Sequence, residues 1–134
     1  MTRFVRFNIV GIFGFILQLS VLVALDSLGV PLLVATVLAV EAAILHNFAW
    51  HERWTWAGLT TGSRAGRLAR FHLSNGVITI AGNITLTAAF ADAGAPLVAA
   101  NAGAVITCAA LNFAAASVWV FCARAWPTFG GYLQ

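Results

Sequence analysis

The sequence contains no lysine, only four acidic residues and one tyrosine, and charged side chains make up 8% of it. A surface so poor in charge cannot keep a chain of 134 residues in water, which excludes a soluble catalytic domain. Cysteine is scarce as well. Cys108 and Cys122 stand fourteen residues apart on one predicted helix (122 − 108), roughly 21 Å from each other and beyond disulfide reach. Neither they nor any grouping of histidines and acids has metal-ligand spacing, so both cysteines read as small apolar filler and no metal is expected. A P-loop is absent, and no nucleophile can be assembled beside a base. The chain therefore reads as a non-enzyme without a cofactor.

What the sequence does contain is apolar: 61% of its residues are hydrophobic and the mean hydropathy is +0.92. Four segments, at about 6–26, 32–52, 71–91 and 96–122, are each long enough to cross a hydrocarbon core of roughly 30 Å. The first continues for about 20 residues without a small-residue cleavage site, so it is a retained helix rather than a secretory signal. The breaks Asp26-Ser27-Leu28-Gly29-Val30-Pro31 and Asp92-Ala93-Gly94-Ala95-Pro96 combine a turn-forming acid, a helix-ending glycine and a proline suited to the next helix's start. They predict tight helical hairpins. The expected fold is an all-α integral membrane protein, a single membrane domain over 1–134.

The seven arginines fall in three places: Arg3 and Arg6 before the first span, Arg53, Arg64, Arg67 and Arg70 between the second and third, and Arg124 after the fourth. By the positive-inside rule both termini and the loop at 57–69 face the cytoplasm, in the cytoplasmic membrane. The net charge of +3 thus reflects topology and anionic-lipid contact, not a nucleic-acid surface. The arginine triplet at 64, 67 and 70 reads as a solvated loop or as a short interfacial helix on anionic headgroups. Trp50, Trp54, Trp56, Trp119 and Trp126 all lie near this boundary and read as an aromatic belt.

The chain also repeats itself. Arg6-Phe7 answers Arg70-Phe71 at an offset of 64; Gly11 answers Gly76, Gly29-x-Pro31-Leu32 answers Gly94-x-Pro96-Leu97, and Asn47-Phe48-Ala49 answers Asn112-Phe113-Ala114 at an offset of 65. Between 29–56 and 94–121, 10 of 28 positions are identical, with Gly, Pro, Asn and Trp among them, so shared hydrophobicity is not the cause. The units are 6–56 and 70–121. Each holds an even number of spans, so the expected architecture is four transmembrane helices as two parallel two-helix repeats.

Several polar residues stand inside the spans. Glu41, ten residues past Pro31, lies roughly 15 Å into the membrane, where an acid costs about 2.5–3.5 kcal/mol and marks a pathway by default. Its counterpart in the second repeat is Ile106. His72, Asn75, Thr79 and Asn83 share one predicted face, as do Asn101, Cys108 and Asn112, and Asn8, Gly11, Gly14 and Gln18 follow a third line. These faces predict a polar interior, or interhelical hydrogen bonding worth about 0.6 kcal/mol per pair. His46 points some 140° from Glu41 on a regular helix. An arginine fork matches a phosphate, which makes Arg53, Arg6 and Arg70 candidates for a lipid phosphate at headgroup depth.

The Arg-Phe opening, the Gly-x-Pro turn, Asn47-Phe48 followed by Glu52-Arg53-Trp54-Thr55-Trp56, and the second copy ending Asn112-Phe113 and Trp119-Val120-Phe121 resemble the GtrA-like family over nearly the whole chain. The resemblance implies a four-helix protein working with polyprenyl-phosphate-linked sugars, as a flippase for cell-surface polysaccharide synthesis or glycosylation, or as the membrane partner of a glycosyltransferase. The chain departs from the pattern at Ala114-Ala115-Ala116-Ser117, where basic residues are usual, and at Glu41 and His46. The expected substrate contacts are Glu41, Arg53, Asn47, Asn112, Asn83, Gln18, Asn101, Arg6, Arg70 and His46. A non-transporting scaffold and a small proton-coupled exporter using Glu41 are the competing functions. Four helices enclose little volume, which leaves room for a homodimer.

Overall fold

The computed structural model describes residues 2–121 and is all-α, with no strand among the described residues. Helix α1 spans Arg3–Ser27, α2 Leu32–Trp50, α3 Arg64–Val77, α4 Asn83–Asp92 and α5 Leu97–Ala115. Wider π-type turns follow α2 at His51–Thr55 and α5 at Ala116–Val120, and a third joins α3 to α4 at Ile78–Gly82. Four continuous helical stretches are long and apolar enough to cross a membrane: Arg3–Ser27, Leu32–Thr55, Arg64–Asp92 and Leu97–Val120. This is a multi-pass membrane protein. Arg124, Trp126 and Cys122 lie outside the described residues.

The chain resolves into two compact units, the first ending at Gly58 and the second beginning at Leu59. In the first unit α1 packs on α2 through a turn built by Gly29, whose φ of +76° an L side chain rarely adopts. The Val30 N–H reaches back to the Leu25 carbonyl at 3.1 Å and the Gly29 N–H to Asp26 at 2.9 Å, which satisfies carbonyls that the helix end would leave exposed. Pro31 sits at the N-cap and begins α2 at Leu32. The second unit builds its turn in the same way, with Gly94 at φ +93°, Ala95 N–H to Phe90 carbonyl at 3.0 Å, and Pro96 before Leu97.

The packed faces are made of small residues. Ala35, Ala39 and Ala43 are buried on α2, and Ala100, Ala104 and Cys108 occupy the corresponding positions, 65 residues on, in α5. Small side chains every fourth residue let two helix backbones approach closely, the main packing device where lipid removes the hydrophobic drive. The large apolar residues, among them Ile12, Phe13, Leu33, Val98 and Ile106, are exposed, as lipid-facing positions should be.

The third span differs from expectation. It begins at Arg64, inside the segment read as loop, because the Ser63 side chain caps it by accepting from the Gly66 N–H at 3.2 Å. At 29 residues it is about 43 Å long, so its first turns extend beyond a core of roughly 30 Å. Arg67 does not reach outward to headgroups. It is buried, and it donates to the carbonyls of Thr61 at 3.1 Å and Gly62 at 2.6 Å, tying the loop to the helix. The burial pattern carries the same change of offset as the sequence. Phe7 and Val10 match Phe71 and Ser74 at an offset of 64, whereas the Gly14 and Thr79 pairings described below need 65. The change of offset therefore falls between Ser74 and Thr79, close to where the π-type turn of the third span begins. A single-turn π-bulge within an α-helix is the usual geometry of one added residue.

Candidate functional site

In the first unit the start of α1 and the end of α2 come together around an aromatic cluster. His51 is only 2% exposed, and it stacks on Phe7 with ring centroids 4.6 Å apart and 9° between planes. The fully buried Trp56 meets both edge-on, at 5.9 Å from Phe7 and 5.3 Å from His51. His51 Nδ1 shares a hydrogen bond of 3.1 Å with the Thr55 hydroxyl. The π-type turn closes through the Trp56 N–H on the His51 carbonyl at 2.8 Å. Sequence reasoning gave His51 little weight and placed Trp56 in a headgroup belt. Both are core residues of the first unit.

Arg6, one residue before Phe7, fastens this end. Its guanidinium donates to the Trp54 carbonyl at 3.1 Å and lies 5.5 Å from the centre of the Trp54 ring, a cation–π contact. Its Nε is buried without a hydrogen-bond partner among the described residues. Arg70 does the corresponding work in the second unit, donating to the Val120 carbonyl at 3.3 Å, again with Nε unpartnered. Each arginine is therefore partly committed to the end of a helix. Arg53 is exposed and hydrogen-bonds to no described residue.

Beside Trp54 an open cleft of about 340 Å³ runs between α1 and α2, lined by Ile9, Val10, Phe13, His46, Trp50 and Trp54. That size falls in the range of small-ligand sites, roughly 300–1,000 Å³. His46, Trp50 and Trp54 are spaced four apart and form its α2 wall, the first two rings 6.3 Å apart. Its lining is almost wholly apolar, and His46 supplies the polar contact. Nδ1 of His46 lies 3.2 Å from Oδ1 of Asn47. The Asn47 carboxamide in turn rests against Gly14, where any Cβ would overlap it. Sequence reasoning found His46, Asn47 and Arg6 but missed the apolar wall. The four-residue spacing of His46, Trp50 and Trp54 was the available signal.

The predicted polar faces meet in the second unit. Asn101 Nδ2 donates to Asn83 Oδ1 at 3.2 Å and to the Thr87 hydroxyl at 3.3 Å, and Thr87 donates to Asn83 at 3.0 Å. Asn112 donates to Thr79 at 3.3 Å, while its buried Oδ1 has no partner among the described residues. Cys108 is more than filler, since its thiol donates at 3.3 Å to the Ile78 carbonyl at the π-type turn, closely opposite Gly82. Nδ1 of His72 lies 3.2 Å from the Leu68 carbonyl of its own helix. Glu41 lies on an exposed face of α2 rather than in a buried interior, and Gln18 is half-buried on α1. Among the described residues no group of histidine, cysteine and acid could hold a metal.

Residues 6–121 match the family described as the GtrA/DPMS transmembrane domain. The chain belongs to that family. A dolichol-phosphate mannosyltransferase of Pyrococcus furiosus is 39% identical to it over 72 residues, which cover 54% of this chain and 20% of that protein. The similarity is thus to about a fifth of a longer relative. A membrane module of this family that carries an apolar cleft beside an arginine–tryptophan pair is equipped for an amphiphile with an anionic group at headgroup depth.

Proposed function

We propose that this protein translocates a polyprenyl-phosphate-linked sugar across the cytoplasmic membrane, with both termini and the segment around Ser63 on the cytoplasmic side. The observation that carries this reading is the apolar cleft of the first unit with Arg6 lying over Trp54 at its lip. Two cations flank that lip in sequence. Arg6 has part of its guanidinium committed to the Trp54 carbonyl, and Arg53 is exposed, so Arg53 is the one able to turn its full fork to a phosphate. The prenyl tail stays in lipid, and only the hydrophilic head needs a path. The two hairpins, taken as copies running in the same direction, would shift about each other to provide it.

Reconstitution into vesicles tests this directly. A prenyl-phospho-hexose loaded in one leaflet should reach the other, as followed by periodate accessibility, and Arg53→Ala should slow it by about tenfold or more, since charge-assisted contacts of roughly 1.5–3 kcal/mol are at stake. Arg53→Lys should recover part of the rate. No acceleration over protein-free vesicles would remove the translocation function. The chain's match to one-fifth of a mannosyltransferase favours a second function, a membrane module that holds a glycosyltransferase at the same lipid. Co-purification of a soluble glycosyltransferase together with absent translocation would establish it.

A further inference from the structure

His46 is paired with its neighbour in sequence. A carboxamide oxygen accepts, so the 3.2 Å contact with Asn47 Oδ1 pairs it with the Nδ1–H tautomer. That leaves Nε2 with its lone pair, and no described residue donates to it. The Asn47 carboxamide is seated against the backbone of α1 because Gly14 has no side chain. Asn112, the counterpart 65 residues on, donates to Thr79 instead, and Leu111 and Ala115 stand where the first unit has His46 and Trp50. The acceptor and its aromatic wall therefore belong to the first unit.

We propose that His46 Nε2 is the hydrogen-bond acceptor for a hydroxyl of the sugar head group, seated in the cleft against Trp50 and Trp54, with Asn47 on Gly14 as the positioning residue. This rests on the function proposed above and says which part of the lipid the cleft takes. A hexose is amphipathic, its faces rich in C–H and its edge ringed by hydroxyls. The faces suit the indoles, while the open side of the cleft leaves most of the edge hydrated. One hydroxyl turned inward meets the Nε2 lone pair among largely apolar neighbours. A site built to bond a ligand hydroxyl discriminates against an analogue that lacks it.

Two measurements test the proposal. The ring-nitrogen chemical shifts of the wild-type protein, with His46 labelled by ¹⁵N and assigned by loss of its signals in His46→Phe, should show the Nδ1–H tautomer. Asn47→Leu and Gly14→Ala should each shift the population toward Nε2–H. Binding is then compared for a hexose-bearing prenyl phosphate, the bare prenyl phosphate and the free prenol in nanodiscs. His46→Phe, which keeps the ring, should weaken the hexose-bearing lipid about tenfold and change the bare phosphate less than twofold, and His46→Gln should restore part of the loss. Equal loss for all three probes, sensitivity confined to the prenol, or an Nε2–H tautomer in the wild type would each overturn the proposal while leaving lipid handling intact. Failure of every prenyl phosphate to bind the wild-type protein would overturn both.

Discussion

Replacing His51 by alanine asks how much of the first unit rests on its aromatic cluster. The side chain stacks on Phe7 at 4.6 Å, meets the edge of Trp56 at 5.3 Å and bonds Thr55 at 3.1 Å. Two aromatic contacts at about 0.5–1.5 kcal/mol each and one hydrogen bond near 1 kcal/mol give roughly 2–4 kcal/mol, before any cavity left behind. The second unit provides an internal control, because Ala116 stands at the corresponding position and its π-type turn closes all the same, the Phe121 N–H on the Ala116 carbonyl at 3.0 Å. The helices should therefore persist in His51→Ala while the first unit loses stability. Reversible unfolding in mixed SDS micelles would measure it, with the fluorescence of Trp56 reporting the site. A loss below about 1 kcal/mol would mean that lipid or the turn geometry alone holds this end together, and the sum of contacts would be refuted.

Cys108→Ala removes the thiol that caps the Ile78 carbonyl at the third span's π-type turn, and should cost about 0.5–1.5 kcal/mol in the same unfolding assay, with Cys108→Ser recovering most of it. Glu41→Gln should leave abundance normal; if the carboxyl group takes part in transport, translocation in vesicles falls and its residual rate loses pH dependence, and full activity with an unchanged pH profile would remove Glu41 from the path. Cysteines placed at Ser27 and Ala93 should react only with external reagent and one at Ser63 only from within, and labelling of both sets from both faces would refute a single orientation.

Much of the fold was legible because membrane spans are written in long apolar runs and the hairpins in Gly and Pro. Gly29 and Gly94 adopt the positive φ that their positions in the turn signals imply. The start of the third span was less legible. A run holding Arg64, Arg67 and Arg70 looks solvated, and only the cap at Ser63 and the inward reach of Arg67 reveal a helix. The π-type turns have no compositional signature. At the candidate site the polar residues could be read singly, and their partners could not. Whether Trp56 lies at a headgroup or under Phe7 depends on a turn of five residues, and whether Trp50 and Trp54 anchor or line a cleft depends on which side of α2 meets α1.

The wider turn in the third span shows how a helix can take in one more residue without turning its polar face. In a strict α-helix one more residue would rotate everything beyond it by about 100°, turning Asn83 and Thr87 away from Asn101 and swinging polar groups toward lipid. The wider turn at Ile78–Gly82 absorbs the residue locally, and a thiol from α5 caps a carbonyl at that turn. A local change of pitch thus leaves the polar face beyond the turn aimed at Asn101.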